Sequence, residues 1–149
     1  MAAAVWLEVA VKDQRSFRRD FVEGLLHANA RDFFLDTYTF WPYQGRLDDM
    51  RTFAVPFQLL PFAKPEDYTG KLADSAKQAV IKKYGERYGL MNAGDQPGDA
   101  VLTLPAGKAT VIDLSNGVHQ TLLTARNQAG EAEVKIHLAP WSLKTLEIQ

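Results

Sequence analysis

Val101-Leu102-Thr103-Leu104, Ala109-Thr110-Val111-Ile112-Asp113-Leu114, the run from Val118 to Ala125, Glu133-Val134-Lys135-Ile136-His137-Leu138 and Leu143-Lys144-Thr145-Leu146-Glu147-Ile148 follow one another down the last third of the chain. Between them stand Pro105-Ala106-Gly107, Asn116-Gly117, Gln128-Ala129-Gly130 and Ala139-Pro140. Short β-branched runs, each closed by Gly, Asn or Pro, are the pattern of an antiparallel sheet, because those residues supply the positive φ and the fixed φ that tight turns need. Val134, Ile136 and Leu138 alternate with Glu133, Lys135 and His137. One face of that strand is therefore core and the other is wet. The last run alternates less cleanly, and its faces cannot be assigned from pattern alone. The whole region predicts a small antiparallel β-sandwich over residues 99–149.

Upstream, Gly89-Leu90-Met91-Asn92-Ala93-Gly94-Asp95-Gln96-Pro97-Gly98 is rich in turn formers and predicts a linker or long loop. Of sixteen aromatic side chains, all but Trp141 lie between Trp6 and Tyr88, so the chain changes character there. Two regions are expected, an aromatic-rich mixed helix and strand region over residues 1–90 and the sandwich after it. The fold class is α+β.

Within the first region, Val5, Leu7, Val9 and Val11 alternate with Trp6, Glu8 and Ala10, which favours a strand. Ser16 is placed to cap a helix whose stripe is Phe17, Phe21, Val22, Leu25 and Leu26. Asn29 similarly stands before a short helix expected over 31–38. Pro56 and Pro61 argue against a central strand over 52–62, which is read as a strand end or a buried extended connection. Pro65-Glu66-Asp67 suits a helix N-terminus, and Leu72, Ala76, Ala79, Val80, Lys83 and Tyr84 then give a helix ending near Gly85.

Much chemistry is excluded outright. With no cysteine, disulfides, thiolate nucleophiles and Cys-ligated zinc have no residues to build them. A formal charge of -1 gives no global field to attract nucleic acid or an anionic membrane. No apolar run reaches the roughly 20 residues of a spanning helix, and the N-terminal stretch has no basic region of a signal peptide, so the default location is cytoplasmic. His27, His119 and His137 make no paired metal motif. Ser16, Ser75, Ser115 and Ser142 lack a nucleophile elbow, and the glycines build no phosphate loop. No cofactor is expected.

Two carboxylate pairs, Asp48-Asp49 and Glu66-Asp67, have the residue types of a glycosidase cleft, but each has a plainer reading. The first lies between Arg46 and Arg51 and reads as ion pairs or a turn; the second is absorbed by the expected helix start. The densest aromatic cluster is Phe33, Phe34, Tyr38, Phe40, Trp41 and Tyr43. It admits two readings. Tyr38, Trp41 and Tyr43, beside a loop proline, can offer flat faces to a sugar ring or to a protein partner; alternatively the phenylalanines are core and Trp41 closes it.

The stretch from Asp99 to Gly117, which contains Asp113-Leu114-Ser115-Asn116-Gly117, followed by Glu133 to Leu138 and by Ala139-Pro140-Trp141-Ser142-Leu143 to Ile148, resembles the C-terminal β-sandwich that closes many glycoside hydrolases. The resemblance covers about a third of the chain. It implies that residues 1–90 are the last strand and helix units of a catalytic barrel, with the catalytic acids elsewhere, and no catalytic residue is transferred to this chain. On that footing the expectation is a part or subunit of a carbohydrate-active enzyme, with an oligo- or polysaccharide as partner at Tyr38, Trp41 and Tyr43. The competing expectation is an assembly protein with an aromatic protein-protein interface. Neither requires nucleic acid, a membrane or a metal.

Overall fold

A computed structural model describes residues 3–7, 14–28, 30–35, 47–75 and 77–149. The described elements run in the order β1 (Ala3–Leu7), α1 (Gln14–Ala28), β2 (Ala30–Leu35), α2 (Leu47–Gln58), β3 (Pro65–Asp67), β4 (Lys71–Asp74), β5 (Ala79–Tyr84), β6 (Arg87–Asn92), β7 (Gly98–Thr103), β8 (Val111–Asp113), β9 (Gln120–Leu122), β10 (Ala125–Arg126), β11 (Ala132–Leu138) and β12 (Ser142–Ile148). Strands β1 and β2 pair in parallel across α1. The remaining strands form two antiparallel sheets, one of six in the order β3-β5-β6-β12-β8-β9 and one of four in the order β10-β11-β7-β4. The fold is α+β and mostly sheet.

The strands of the C-terminal third fall where the turn residues put them. Gly85 closes the β5–β6 hairpin at φ 59°, a conformation that glycine adopts without a Cβ penalty, and Tyr84 then pairs with Arg87. The larger buried cluster takes side chains from both sheets: Ile81, Tyr88, Leu90, Val111, Leu146 and Ile148 from the six, and Ala100, Leu102, Val134, Ile136 and Leu138 from the four. A second cluster joins Phe21, Val22 and Leu25 of α1 and Phe53 of α2 to Tyr84, Met91 and Leu143 of the six-stranded sheet. Strand β12 therefore has apolar neighbours on both faces. Leu143 looks toward the helices while Leu146 and Ile148 join the larger cluster, which is why its sequence shows no clean alternation.

Several expectations for the first region are corrected. The helix expected over 65–85 is three strands, β3, β4 and β5. Its interruption is chemical: the Asp74 carboxylate accepts the backbone N–H of Gln78 and of Ala79, the latter at 2.7 Å, and so holds a turn in place of helical bonds. The extended connection expected over 52–62 is instead mainly α2, with Pro56 inside its last turn. Because the last four carbonyls of a helix have no partner within it, the Pro56 carbonyl is open to other donors, and it accepts from the Leu59 N–H at 3.2 Å and from the Thr145 hydroxyl at 2.6 Å. The short helix expected over 31–38 is replaced, as far as Leu35, by strand β2. Helix α1 stands where its stripe predicts, although it begins at Gln14, so that Ser16 lies inside it rather than at its cap. The strand expected over 5–11 is described over Ala3–Leu7.

Strand pairing crosses the expected division at 89–98. Strand β6 pairs with β12, and β4 pairs with β7, so chain from both sides of that stretch builds each sheet. Residues 93–97 simply connect β6 to β7.

The buried bond from the Thr145 hydroxyl ties α2 to β12 directly. Thr145→Val keeps the shape and removes that donor, and is expected to lower stability by about 1 kcal/mol in urea unfolding with an unchanged slope.

Candidate functional site

The residues singled out for sugar stacking, Tyr38, Trp41 and Tyr43, lie outside the described residues, as does Phe40. Their place along the chain is nonetheless defined: residues 36–46 join the C-terminal end of the parallel strand β2 to α2. Phe33 and Phe34 stand on β2. The other candidates scatter. Asp48 and Asp49 fall in the first turn of α2. Glu66 and Asp67 are on β3, where Lys83 and Lys82 of β5 meet them at 3.2 and 2.6 Å. Exposed cross-strand pairs of this kind mark a solvated edge and not a cleft. His27 and His119 are exposed. His137 Nδ1 lies 2.9 Å from Asp99, which also meets Lys135 at 2.7 Å. Hydrogen bonds from Lys135 and then His137 hold the Asp99 carboxyl below its ordinary value.

What the structure does bring together is a junction between the helices and the six-stranded sheet. Phe21 stacks on Phe53 with ring centroids 4.7 Å apart, and Phe53 on Phe57 at 5.6 Å. At one end of this layer the Arg19 guanidinium lies 5.6 Å from the Trp141 ring centroid, and Glu23, one helical turn on, accepts from Arg19 Nε at 2.8 Å. Trp141 sits in the turn between β11 and β12 at φ 46°, an uncommon backbone for so bulky a residue. Its N–H is taken by the Gly94 carbonyl at 3.0 Å. Buried Asn92 secures the same corner, donating to the carbonyls of Gln96 at 2.8 Å and Ala139 at 3.0 Å and accepting from the Gly94 N–H at 3.1 Å.

On the same sheet, Asp113 is buried on β8 beside Lys144 of β12, whose Nζ lies 2.5 Å from the carboxylate. Asp113 also accepts from the Ser115 N–H at 2.8 Å and from the Ser115 hydroxyl. The Ser115 oxygen in turn accepts the Thr145 N–H at 3.1 Å. Burial is the largest single influence on Asp113 and pushes its pKa up, but the bonds from Lys144 and Ser115 together outweigh it and hold the carboxyl below its ordinary value of 3.8. Gly117, at φ 72°, ends this turn, and a Cβ there would reach ordinary contact with Val55 of α2.

The Asp113 to Gly117 turn thus lies close to α2 at Val55, and through Ser115 it holds Thr145, whose hydroxyl bonds the Pro56 carbonyl. The sequence pattern marks Ala109 to Leu114 as a strand and Asn116-Gly117 as a turn, and gives no role to the Asp113 carboxylate. The available signal was an aspartate between Val111 and Leu114 in an otherwise apolar strand, which requires a partner if it is buried.

No protein-family model and no curated protein matches this sequence. Among the described residues, no group of three or more His, Asp and Glu side chains is placed to hold a metal ion. No helix among them is long and apolar enough to cross a membrane.

Proposed function

We propose that the chain is a non-catalytic closing part of a carbohydrate-active enzyme. In this reading residues 65–149 form a two-layer β-sandwich, and β1, α1, β2 and α2 are the terminal units of a parallel β/α body that the sandwich supports. The observation that carries it is the parallel β1–α1–β2 unit packed by its helix against a separate antiparallel sheet. Among the described residues β1 and β2 are the parallel strands, and parallel sheets are as a rule built of several strands covered on both faces, which agrees with a unit that belongs to a larger parallel body.

The order of residues along the chain supports the sugar-stacking role. Folds with parallel strands gather their ligands at the C-terminal ends of those strands. In the sequence Tyr38, Trp41 and Tyr43 follow β2 and precede α2. Tyr and Trp rings supply flat stacking surfaces for sugars without any charged group, in keeping with the nearly neutral chain.

Calorimetry of the chain against a panel of neutral oligosaccharides tests this. Binding heat is expected from at least one of them, and Trp41→Ala or Tyr43→Ala is expected to weaken it at least about tenfold, or about 1.4 kcal/mol, without moving the melting temperature. A panel that gives no heat, or binding indifferent to both substitutions, removes the stacking role. Turnover of aryl glycosides by the chain alone removes its non-catalytic assignment.

A further inference from the structure

Asn92, Asn116 and Asn127 are the asparagines among the described residues. Two of them have their side-chain amides tied down. Asn92 donates to the Gln96 and Ala139 carbonyls and accepts from the Gly94 N–H, and Asn127 donates to Glu131 and Glu133 while accepting the N–H groups of Ala129 and Glu131 at 3.0 Å. Asn116 is exposed, and among the described residues nothing bonds its side chain. It also stands before a glycine, in the turn Leu114-Ser115-Asn116-Gly117 that leads from β8 toward β9. Ala93 and Gln128, which follow the other two asparagines, each carry a Cβ beside the backbone nitrogen. Exposed Gly117 has none, so the Asn116 amide carbon can come against that nitrogen unhindered.

We infer that Asn116 is a site of spontaneous modification in the folded protein, at which its side-chain amide is lost to the backbone of the next residue. The Gly117 nitrogen attacks Asn116 Cγ: the N–Cγ bond forms, the Cγ–Nδ2 bond breaks, and Nδ2 leaves as ammonia with the proton that the Gly117 nitrogen gives up. Water then opens the cyclic imide. Breaking the N–Cγ bond gives aspartate, whereas breaking the bond from that nitrogen to the main-chain carbonyl gives isoaspartate, whose backbone runs through Cβ and is longer by a methylene. The Gly117 N–H is held by the Leu114 carbonyl at 2.9 Å, so the attack follows a local opening of the turn, and the bonds from Ser115 to Asp113 that brace the turn set its pace. Isoaspartate displaces the turn and with it Ser115, the residue that holds the Thr145 N–H. This inference is independent of the saccharide reading.

The full chain, aged at slightly alkaline pH without denaturant and then digested with trypsin, tests this through the mass of its peptides. The mass gain of an amide becoming an acid is expected at residue 116, within the fragment 109–126, at least about tenfold faster than at Asn92 or Asn127. Asn116→Gln is expected to abolish it, since the longer side chain closes the ring poorly, and Ser115→Ala, which loosens the turn from Asp113, is expected to hasten it. The aged protein is expected to melt below Asn116→Asp, which carries the new charge on an ordinary backbone. No gain at residue 116 in folded protein, an equally fast gain at Asn92 or Asn127, or a gain seen in urea alone overturns the proposal. An unchanged rate in Ser115→Ala, or an aged protein that melts together with Asn116→Asp, overturns the part given to the turn.

Discussion

Gly70→Ala is expected to cost about 3 kcal/mol or more and to lower the melting temperature by roughly 10 °C. Gly70 sits immediately before β4, where the chain passes against β7. A Cβ at this position would lie 2.2 Å from the backbone carbonyl oxygen of Thr103 and 2.6 Å from the ring of Tyr68. Neither neighbour can yield cheaply. The Thr103 carbonyl belongs to an inner strand of the four-stranded sheet and accepts the Tyr68 hydroxyl at 3.0 Å, while the Tyr68 ring meets Tyr88 edge-on at 5.7 Å beside the core. Making room for a methyl therefore displaces either the β4–β7 ladder, which begins at the Lys71 to Thr103 pair, or the contact of half-buried Tyr68 with buried Tyr88. Tyr68→Phe separates the two contributions, since it keeps the ring and loses only the hydroxyl bond, and should cost about 1 kcal/mol. Thermal unfolding followed by circular dichroism measures both. If Gly70→Ala melted within about 2 °C of the parent, the close approach of these strands would be refuted.

The sequence was legible where local chemistry and tertiary context agree. The strands β7, β8, β11 and β12 and the turns between them follow from β-branched runs and from glycines that adopt positive φ, such as Gly107, Gly117 and Gly130. Helix α1 follows from Phe21, Val22 and Leu25, whose spacing is the face it buries. Residues 65–85 misled because Leu72, Ala76, Ala79 and Val80 satisfy a helical spacing almost as well as a stranded one, and only the Asp74 carboxylate, turned back onto its own backbone, decides between them. Residues 47–58 misled for the opposite reason. Pro56 and Pro61 speak against a central strand and so point to an extended connection, whereas the chain is helical as far as Gln58 and Thr145, 89 residues away, bonds the Pro56 carbonyl at the helix end. That contact is a property of the assembled sheet and has no trace in the local pattern. The junction itself was hidden in the same way: Arg19 and Trp141, or Asp113 and Lys144, meet only because β12 runs beside β6 and β8 under the two helices.

Removing the Asp113 carboxylate should be as damaging as crowding Gly70. In Asp113→Ala, Lys144 keeps its charge in a site where its side chain is only 26% exposed, and both the N–H and the hydroxyl of Ser115 lose their acceptor. A cost of about 3 kcal/mol is expected, toward the lower end for a broken buried pair because the lysine can still reach solvent. Replacing the lysine too, in Asp113→Ala with Lys144→Met, is expected to recover part of the loss, because the uncompensated charge is then gone. The effect also has a definite pH dependence. The folded protein holds the Asp113 carboxyl below its ordinary value of 3.8, so the ionised form is bound more favourably in the folded state than in the unfolded one. Its contribution is therefore complete above that ordinary value and disappears as the pH falls through the lower folded value. Urea unfolding of the parent and of Asp113→Ala between about pH 5 and about pH 2 should show the gap between them narrowing with acid. The gap should be widest on the neutral side. A gap that stays constant over the whole range would mean that the carboxylate supports the turn by shape alone, and the link from Lys144 through Ser115 and Thr145 to Pro56 would then owe nothing to charge.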